Sequence, residues 1–201
     1  MAFEWLTGGS MPQFWKNYLS LFDIDEKNGL KRYVIFDMVT SGLDWKDDVI
    51  LSIGAIGVHG DAVEVGDFIQ VDILQENSTV QSVALRGVPV NEQNEKVVEA
   101  EAMIQFLNFV KDATLVSHNI NLDVEMVNQA LKRLGLGRIK NPLMDTNALY
   151  QRWKGFSDDT HATLDELCEA LKVRKNDRHT VSGNVYITAL LFLKLKRKLE
   201  I

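Results

Sequence analysis

The chain has one cysteine, Cys168, and no apolar run that approaches the roughly 20 residues of a membrane-spanning helix. A single thiol excludes an internal disulfide and a zinc site built from several thiolates. Cys168 falls on the apolar face of a predicted helix, so we expect a buried structural thiol rather than a nucleophile. The first residues lack the basic-then-apolar pattern of a signal peptide. We therefore expect a soluble, cytoplasmic protein without a membrane contact.

The chain also lacks an excess of positive charge. It carries 22 Lys and Arg against 28 Asp and Glu, a formal net charge of -6 over 201 residues. Sequence-independent binding to duplex nucleic acid over a broad surface depends on neutralising phosphates, so the composition argues against that class of protein. A local basic groove or a metal-bridged nucleic-acid site stays compatible with it. The hydrophobic share of 46% is typical of a folded globular protein.

The length fits one domain with a short extension. We predict an aromatic-rich N-terminal extension over residues 1–28 and a single domain over residues 29–201. Helical spacing of the aromatic residues allows two interpretations of the extension. In the first, its aromatic side chains pack onto the domain. In the second, the extension docks a protein partner.

The pattern of apolar residues predicts an α/β fold with a mixed sheet of about five strands flanked by helices. Three closely spaced strands come first and are expected to be antiparallel. Helical periods and single short strands then alternate. Two helix starts are indicated by capping residues, which are Asp145, and Thr163 with Glu166 three residues later. The five predicted strands lie near residues 33–36, 49–58, 67–71, 114–117 and 142–144.

Two acidic residues stand where a site at a sheet edge is expected. Asp37 follows the first apolar run, and Asp123 follows the fourth strand, in the first turn of a predicted helix. Each also has a structural interpretation, because Asp37 could cap a turn and Asp123 would favour the positive end of a helix dipole. Near the C-terminus, His179 and Asn184 lie five residues apart. The joint pattern is more informative than any one of these residues.

Six stretches in a fixed order carry that joint pattern. They read VIFD at 34–37 with TSGL at 40–43, ILSIGA at 50–55, HN at 118–119 with Asp123, MDT at 144–146, LDELC at 164–168, and His179 with Asn184. Together they resemble the DnaQ-like (DEDDh) 3′–5′ exonucleases, the superfamily of the DNA polymerase III proofreading subunit and of ribonuclease T. The resemblance covers the chain from about residue 31 to the C-terminus.

The resemblance implies a ribonuclease-H-like sheet and a site in which four carboxylates hold two Mg²⁺ or Mn²⁺ ions. Such ions activate a water molecule and stabilise the attacking and leaving oxygens, and a histidine takes the proton. Carried over by position, the metal ligands are Asp37 and Asp123, and the general base is His179. The implied substrate is the 3′ end of single-stranded DNA or RNA.

This chain departs from the family pattern at two ligand positions. Val39 stands where the family has Glu, and an isopropyl group cannot bind a cation. Asn184 stands where the family has Asp, and its amide oxygen coordinates weakly without adding negative charge. Since two of the four acidic ligands are missing, we expect weakened metal binding.

Four further residues are candidates for substrate contacts. Thr40 and Asn119 belong to the matching stretches. Arg86 replaces a histidine that is frequent in the family, and Arg178 directly precedes His179. Each arginine either contacts a phosphate or is simply solvated, and the sequence leaves both possibilities open.

Three functions remain open at this stage. The first is a degenerate exonuclease that binds nucleic acid with weak or absent catalysis. The second is an active metal-dependent exonuclease that uses Asp37, Asp123 and His179. The third is a protein-interaction subunit that docks through its N-terminal extension.

Overall fold

The central sheet has six strands among the residues that the computed structural model describes, which are 11–23, 31–75, 95–157, 161–178 and 180–201. Within these ranges the elements follow in the order α1 (Gln13–Ser20), β1 (Arg32–Thr40), β2 (Ile50–His59), β3 (Ala62–Ile73), β4 (Lys96–Val97), α2 (Glu99–Val110), β5 (Thr114–Ser117), α3 (Ile120–Arg133), β6 (Leu143–Asp145), α4 (Thr146–Lys154), α5 (Leu164–Leu171) and α6 (Val181–Leu199).

The strand order in the sheet is β4-β3-β2-β1-β5-β6. The first three strands form an antiparallel meander, and β5 and β6 extend the sheet in parallel from β1. This mixed α/β architecture confirms the predicted fold class. The structure adds β4, a strand of two residues that pairs with the end of β3 and is not among the five predicted strands.

Alternation along β1 divides the core into two layers. Val34, Phe36 and Met38 pack on one face with α1, α2 and α3 residues. Ile35 and Val39 lie on the other face, which α4, α5 and α6 cover. Asp37 lies two positions from Ile35 and two from Val39, so its side chain belongs to this second face. The strand itself continues to Thr40, so Asp37 lies within β1 rather than after its end as the sequence analysis expected.

Helix α6 packs closely against the sheet at Gly54, a residue without a side chain. A Cβ atom added to Gly54 on β2 would lie 2.5 Å from Cγ1 of Val181, at the first turn of α6. Gly54 is also the residue that pairs with Asp37 across β1 and β2. The glycine therefore lets the N-terminal turn of α6 approach the sheet directly beside Asp37.

The N-terminal helix α1 contributes to the first core layer. Trp15 and Tyr18 are 2% and 3% exposed. The hydroxyl of Tyr18 donates to Oδ1 of Asn141 at 2.7 Å and accepts the backbone N–H of Lys140 at 2.7 Å. Desolvation raises the pKa of Tyr18 to about 12. This packing supports the first interpretation of the extension for the part of it that is described, and none of the described helices is long and apolar enough to cross a membrane.

Candidate active site

Asp37 and Asn184 meet between β1 and α6. The Nδ2 group of Asn184 donates to Oδ2 of Asp37 at 3.0 Å, across 147 positions of sequence. Asp37 is half-buried, whereas Asn184 is 4% exposed. Two of the residues that the sequence analysis selected are therefore in direct contact.

A tight turn brings Arg178 to the same place. The hydroxyl of Thr180 accepts the backbone N–H of Gly183 at 2.9 Å and so caps the start of α6. A Cβ at Gly183 would lie 2.0 Å from the carbonyl oxygen of Asp177, so only glycine permits this close turn. As a result, Nη1 of Arg178 donates to Oδ1 of Asn184 at 2.8 Å.

These two contacts determine the orientation of the Asn184 amide. An arginine can only donate hydrogen bonds, and an ionised carboxylate can only accept them. The amide oxygen must therefore face Arg178 and the amide nitrogen must face Asp37. The oxygen that a cation would use is already bonded to a guanidinium.

Asp123 occupies the first turn of α3, as predicted, and is 1% exposed. Its Oδ2 accepts a hydrogen bond from the hydroxyl of Ser117, at the end of β5. The backbone N–H of Asn119 donates to the same hydroxyl at 3.2 Å. The end of β5 and the start of α3 thus hold this carboxylate in a polar network below the surface.

A cavity of about 440 Å³ opens at this end of the sheet. Its described lining combines a carboxylate, a guanidinium, amides, imidazoles, hydroxyls and two leucines. These residues are Asp37, Leu43, His118, Asn119, His161, Thr163, Leu164, Arg178, Asn184 and Thr188. The lining thus includes four of the predicted site residues, namely Asp37, Asn119, Arg178 and Asn184.

The remaining predicted residues are placed differently. Thr40 is 5% exposed, and its hydroxyl donates to the carbonyl of Gly42 at 2.6 Å. Val39 is 4% exposed and packs in the core layer under α6. His179 and Arg86 lie outside the described residues.

Two histidines line the cavity next to Asn119. Nδ1 of His118 lies 3.0 Å from the hydroxyl of Thr146, and the ring centroids of His118 and His161 are 5.9 Å apart. Burial lowers the pKa of His118, and the nearby carboxylate of Asp145 opposes that effect only in part. Burial therefore favours the neutral form of His118.

Asp145 has a structural role at the same edge. Its Oδ1 accepts the backbone N–H groups of Asn147 and Ala148, which confirms the predicted cap of α4. Its Oδ2 accepts the backbone N–H of Ile120 at 2.9 Å and so joins α4 to the start of α3. The predicted capping box of Thr163 and Glu166 is also present at the start of α5.

The sequence analysis missed two residues that shape the cavity. Thr188 lies four residues after Asn184 on α6, and the helical period alone places it on the same face. Asp165 accepts a hydrogen bond from Nε of Arg178 at 3.1 Å. No local sequence pattern predicts the contact between Asp165 and Arg178, because thirteen positions separate the two residues.

The donor set that the described residues provide does not match a site for two divalent ions. In the described ranges, no group of three or more His, Cys, Asp or Glu side chains could hold a metal. Position 39 offers an alkyl group, and the oxygen of Asn184 is held by Arg178. Hard cations require oxygen ligands and negative charge, and here a guanidinium supplies positive charge instead.

A protein-family model described as Exonuclease (RNase_T) matches residues 34–190. The chain belongs to the DnaQ-like 3′–5′ exonuclease family. Its relatives include the PolC-type DNA polymerase III of Caldanaerobacter subterraneus subsp. tengcongensis, 30% identical over 172 residues, which are 84% of this chain and 12% of that protein. The PolC-type DNA polymerase III of Ureaplasma parvum serovar 3 is also 30% identical, over 83% of this chain and 12% of its own length. The chain thus spans about an eighth of the length of these relatives.

Solved structures share the fold of this exonuclease-family chain at low sequence identity. E. coli exonuclease I in complex with a dA16 oligonucleotide superposes with a TM-score of 0.68 at 15% identity, over 84% of this chain and 41% of the other. The zinc-bound form of an E. coli exonuclease I complex with single-stranded DNA superposes with a TM-score of 0.67 at 15% identity, over 83% and 41%.

Proposed function

We propose that this chain is an exonuclease-family domain that binds the 3′ ends of single-stranded DNA or RNA and has weak or absent catalysis. The observation that carries the proposal is the pair of hydrogen bonds from and to the Asn184 amide. One joins it to Asp37 and the other to Arg178. In this arrangement the Asp37 carboxylate already accepts a hydrogen bond from an amide, at a position where the family has an acid.

Electrostatics supports the loss of two-metal hydrolysis. Of the four family ligand positions, Asp37 and Asp123 can carry a negative charge, and the positive charge of Arg178 contacts a third position, Asn184. Losing residues that only support a metal ligand typically costs about 10–100-fold in affinity or activity. The loss of two ligands themselves should cost more, so Mg²⁺ or Mn²⁺ would bind weakly here.

The membership of the family and the cavity support retained binding of nucleic acid. Exonuclease I binds single-stranded DNA with the same fold, and the cavity of this chain offers polar groups beside two leucines. The net charge of -6 is compatible with this mode, because a strand end enters a local site and does not require a broad basic surface.

Digestion of end-labelled single strands of DNA and RNA tests the proposal. The chain is compared, in Mg²⁺ and in Mn²⁺, with the double variant Val39→Glu plus Asn184→Asp. We expect the double variant to digest the strand from its 3′ end and the unchanged chain to be inactive or far slower.

The control is Asp37→Ala, introduced into whichever form digests, because a contaminating nuclease would survive that change. Digestion by the unchanged chain that Asp37→Ala abolishes would overturn the proposal. It would instead support an active exonuclease with a different ligand set.

A further inference from the structure

The cavity contains one permanently charged cation among its described lining residues, the guanidinium of Arg178. Burial lowers the pKa of the neighbouring His118 and so disfavours a positive charge on that imidazole. The only lining carboxylate in the described residues is Asp37. Among the described lining residues, Arg178 is therefore the group that offers an anion a positive charge at any pH near neutrality.

Two contacts orient this guanidinium. Its Nε donates to Asp165 at 3.1 Å and its Nη1 donates to Asn184 at 2.8 Å. A guanidinium has five N–H donors, and two parallel ones suffice for bidentate contact with a phosphate. The side chain is 23% exposed, so it is largely ordered before any ligand arrives. An ordered and partly desolvated cation binds an anion more strongly than a mobile surface lysine.

Asparagine at position 184 preserves the charge of this cation. An amide oxygen accepts the Arg178 hydrogen bond without cancelling the positive charge, whereas a carboxylate at the same place would form a nearly buried ion pair. The opposite end of the amide donates to Asp37 and so reduces the repulsion that this carboxylate exerts on an anion. Asp165 is 48% exposed, and solvent screens its attraction for Arg178.

We propose that the cavity binds the 3′-terminal nucleotide of a single strand without a divalent metal, and that Arg178 supplies the positive charge that faces its phosphate. This inference rests on the proposed function and specifies its mode. The cavity volume of about 440 Å³ falls within the range of sites for small organic ligands. Leu43 and Leu164 provide an apolar wall for the sugar or base.

Fluorescence anisotropy with a 5′-labelled single-stranded oligonucleotide tests the proposal, in EDTA and in Mg²⁺. A circular single strand, used as an unlabelled competitor, has no 3′ end and measures binding along the strand. We expect the dissociation constant of the linear strand to change less than about twofold between EDTA and Mg²⁺. We also expect the circular strand to compete poorly.

Two variants with opposite expected effects separate a binding role from a folding role. Arg178→Gln should weaken binding in EDTA by about tenfold, which corresponds to about 1.4 kcal/mol. Asp165→Asn removes the competing carboxylate and should tighten binding about two- to threefold, a gain that damage to the fold cannot produce. The control is Lys132→Gln, which removes an exposed positive charge at the other end of α3 from Asn119.

Each result has a distinct meaning. Strong binding that EDTA abolishes, or that Arg178→Gln and Asp165→Asn leave unchanged, would overturn this inference and leave the proposed function standing. Absence of binding in both buffers would overturn the binding role itself. Hydrolysis in Mg²⁺ does not affect the EDTA measurements, so an active enzyme would contradict the proposed function without deciding the role of Arg178.

Discussion

Placing a glutamate at position 39, where the family resemblance expects one, should make the protein less stable unless a metal ion is supplied. Val39 is 4% exposed and packs in the core layer that contains Val181 and Val185. It lies on the same face of β1 as Asp37, two residues further along the strand. The variant Val39→Glu therefore places a second carboxylate beside the first and removes a buried alkyl group.

The structure allows the cost to be worked out. Loss of the buried valine side chain costs about 1.5 kcal/mol. Residues two positions apart on a strand are separated by about 6.6 Å, and two like charges at that distance repel by about 2.5 kcal/mol at an effective dielectric constant of about 20. The expected loss is thus about 4 kcal/mol, a large share of the stability of a typical domain.

Urea unfolding near neutral pH, in EDTA and in Mg²⁺, measures this loss. The matched control is Val39→Gln, because glutamine has nearly the same shape as glutamate but no charge. Its loss of unfolding free energy should be about 2.5 kcal/mol smaller than that of Val39→Glu. Mg²⁺ should narrow the gap between the two variants, because an ion bound between the carboxylates stabilises only the folded charged form. Equal stability of the two variants in EDTA, or equal shifts on adding Mg²⁺, would refute the reasoning.

Two further predictions concern the support of the site. Tyr18 has a pKa of about 12 in the folded chain against about 10 when unfolded, so its contribution is complete below pH 10 and is lost as the pH rises through 12. Between pH 10 and pH 12, the free energy of unfolding should therefore fall by about 2–3 kcal/mol less in Tyr18→Phe than in the unchanged chain. Parallel pH profiles of the two proteins would contradict this. Asp145→Ala leaves the N–H groups of Ile120 and of the first turn of α4 without an acceptor and should cost about 2–3 kcal/mol in urea unfolding, whereas Asp145→Asn keeps an acceptor oxygen and should cost about half as much.

The parts of the site that sequence predicts are those set by local rules. The first-turn position of Asp123, the Asp145 cap and the Thr163 capping box each depend on residues within a few positions of one another. The sequence pattern predicts β1 but ends it before Asp37, because Asp37 is polar. Pairing with β2 continues past Asp37 to Thr40, and tertiary pairing overrides the low strand propensity of an acidic residue.

Long-range contacts account for what the sequence could not predict. Asp37 and Asn184 are 147 positions apart, and their hydrogen bond depends on the close approach of α6 at Gly54. The family resemblance places both residues near one another, but it does not predict that the amide bonds Arg178 on its other side. The sequence therefore predicts a weakened metal ligand at position 184, whereas the structure places Asn184 in a hydrogen-bond network.

The Asn184 network has a consequence for the reversibility of this site in evolution. In the genetic code, asparagine and aspartate differ by a single base, so the mutation that would restore the acid is always within immediate reach. The physical step is much larger, since aspartate removes the donor to Asp37 and sets two carboxylates about 3 Å apart at a position 4% exposed. A chain with aspartate at position 184 would therefore be less stable unless a cation bound between the two carboxylates. The barrier to a carboxylate at position 184 therefore lies in conformational stability rather than in mutational distance.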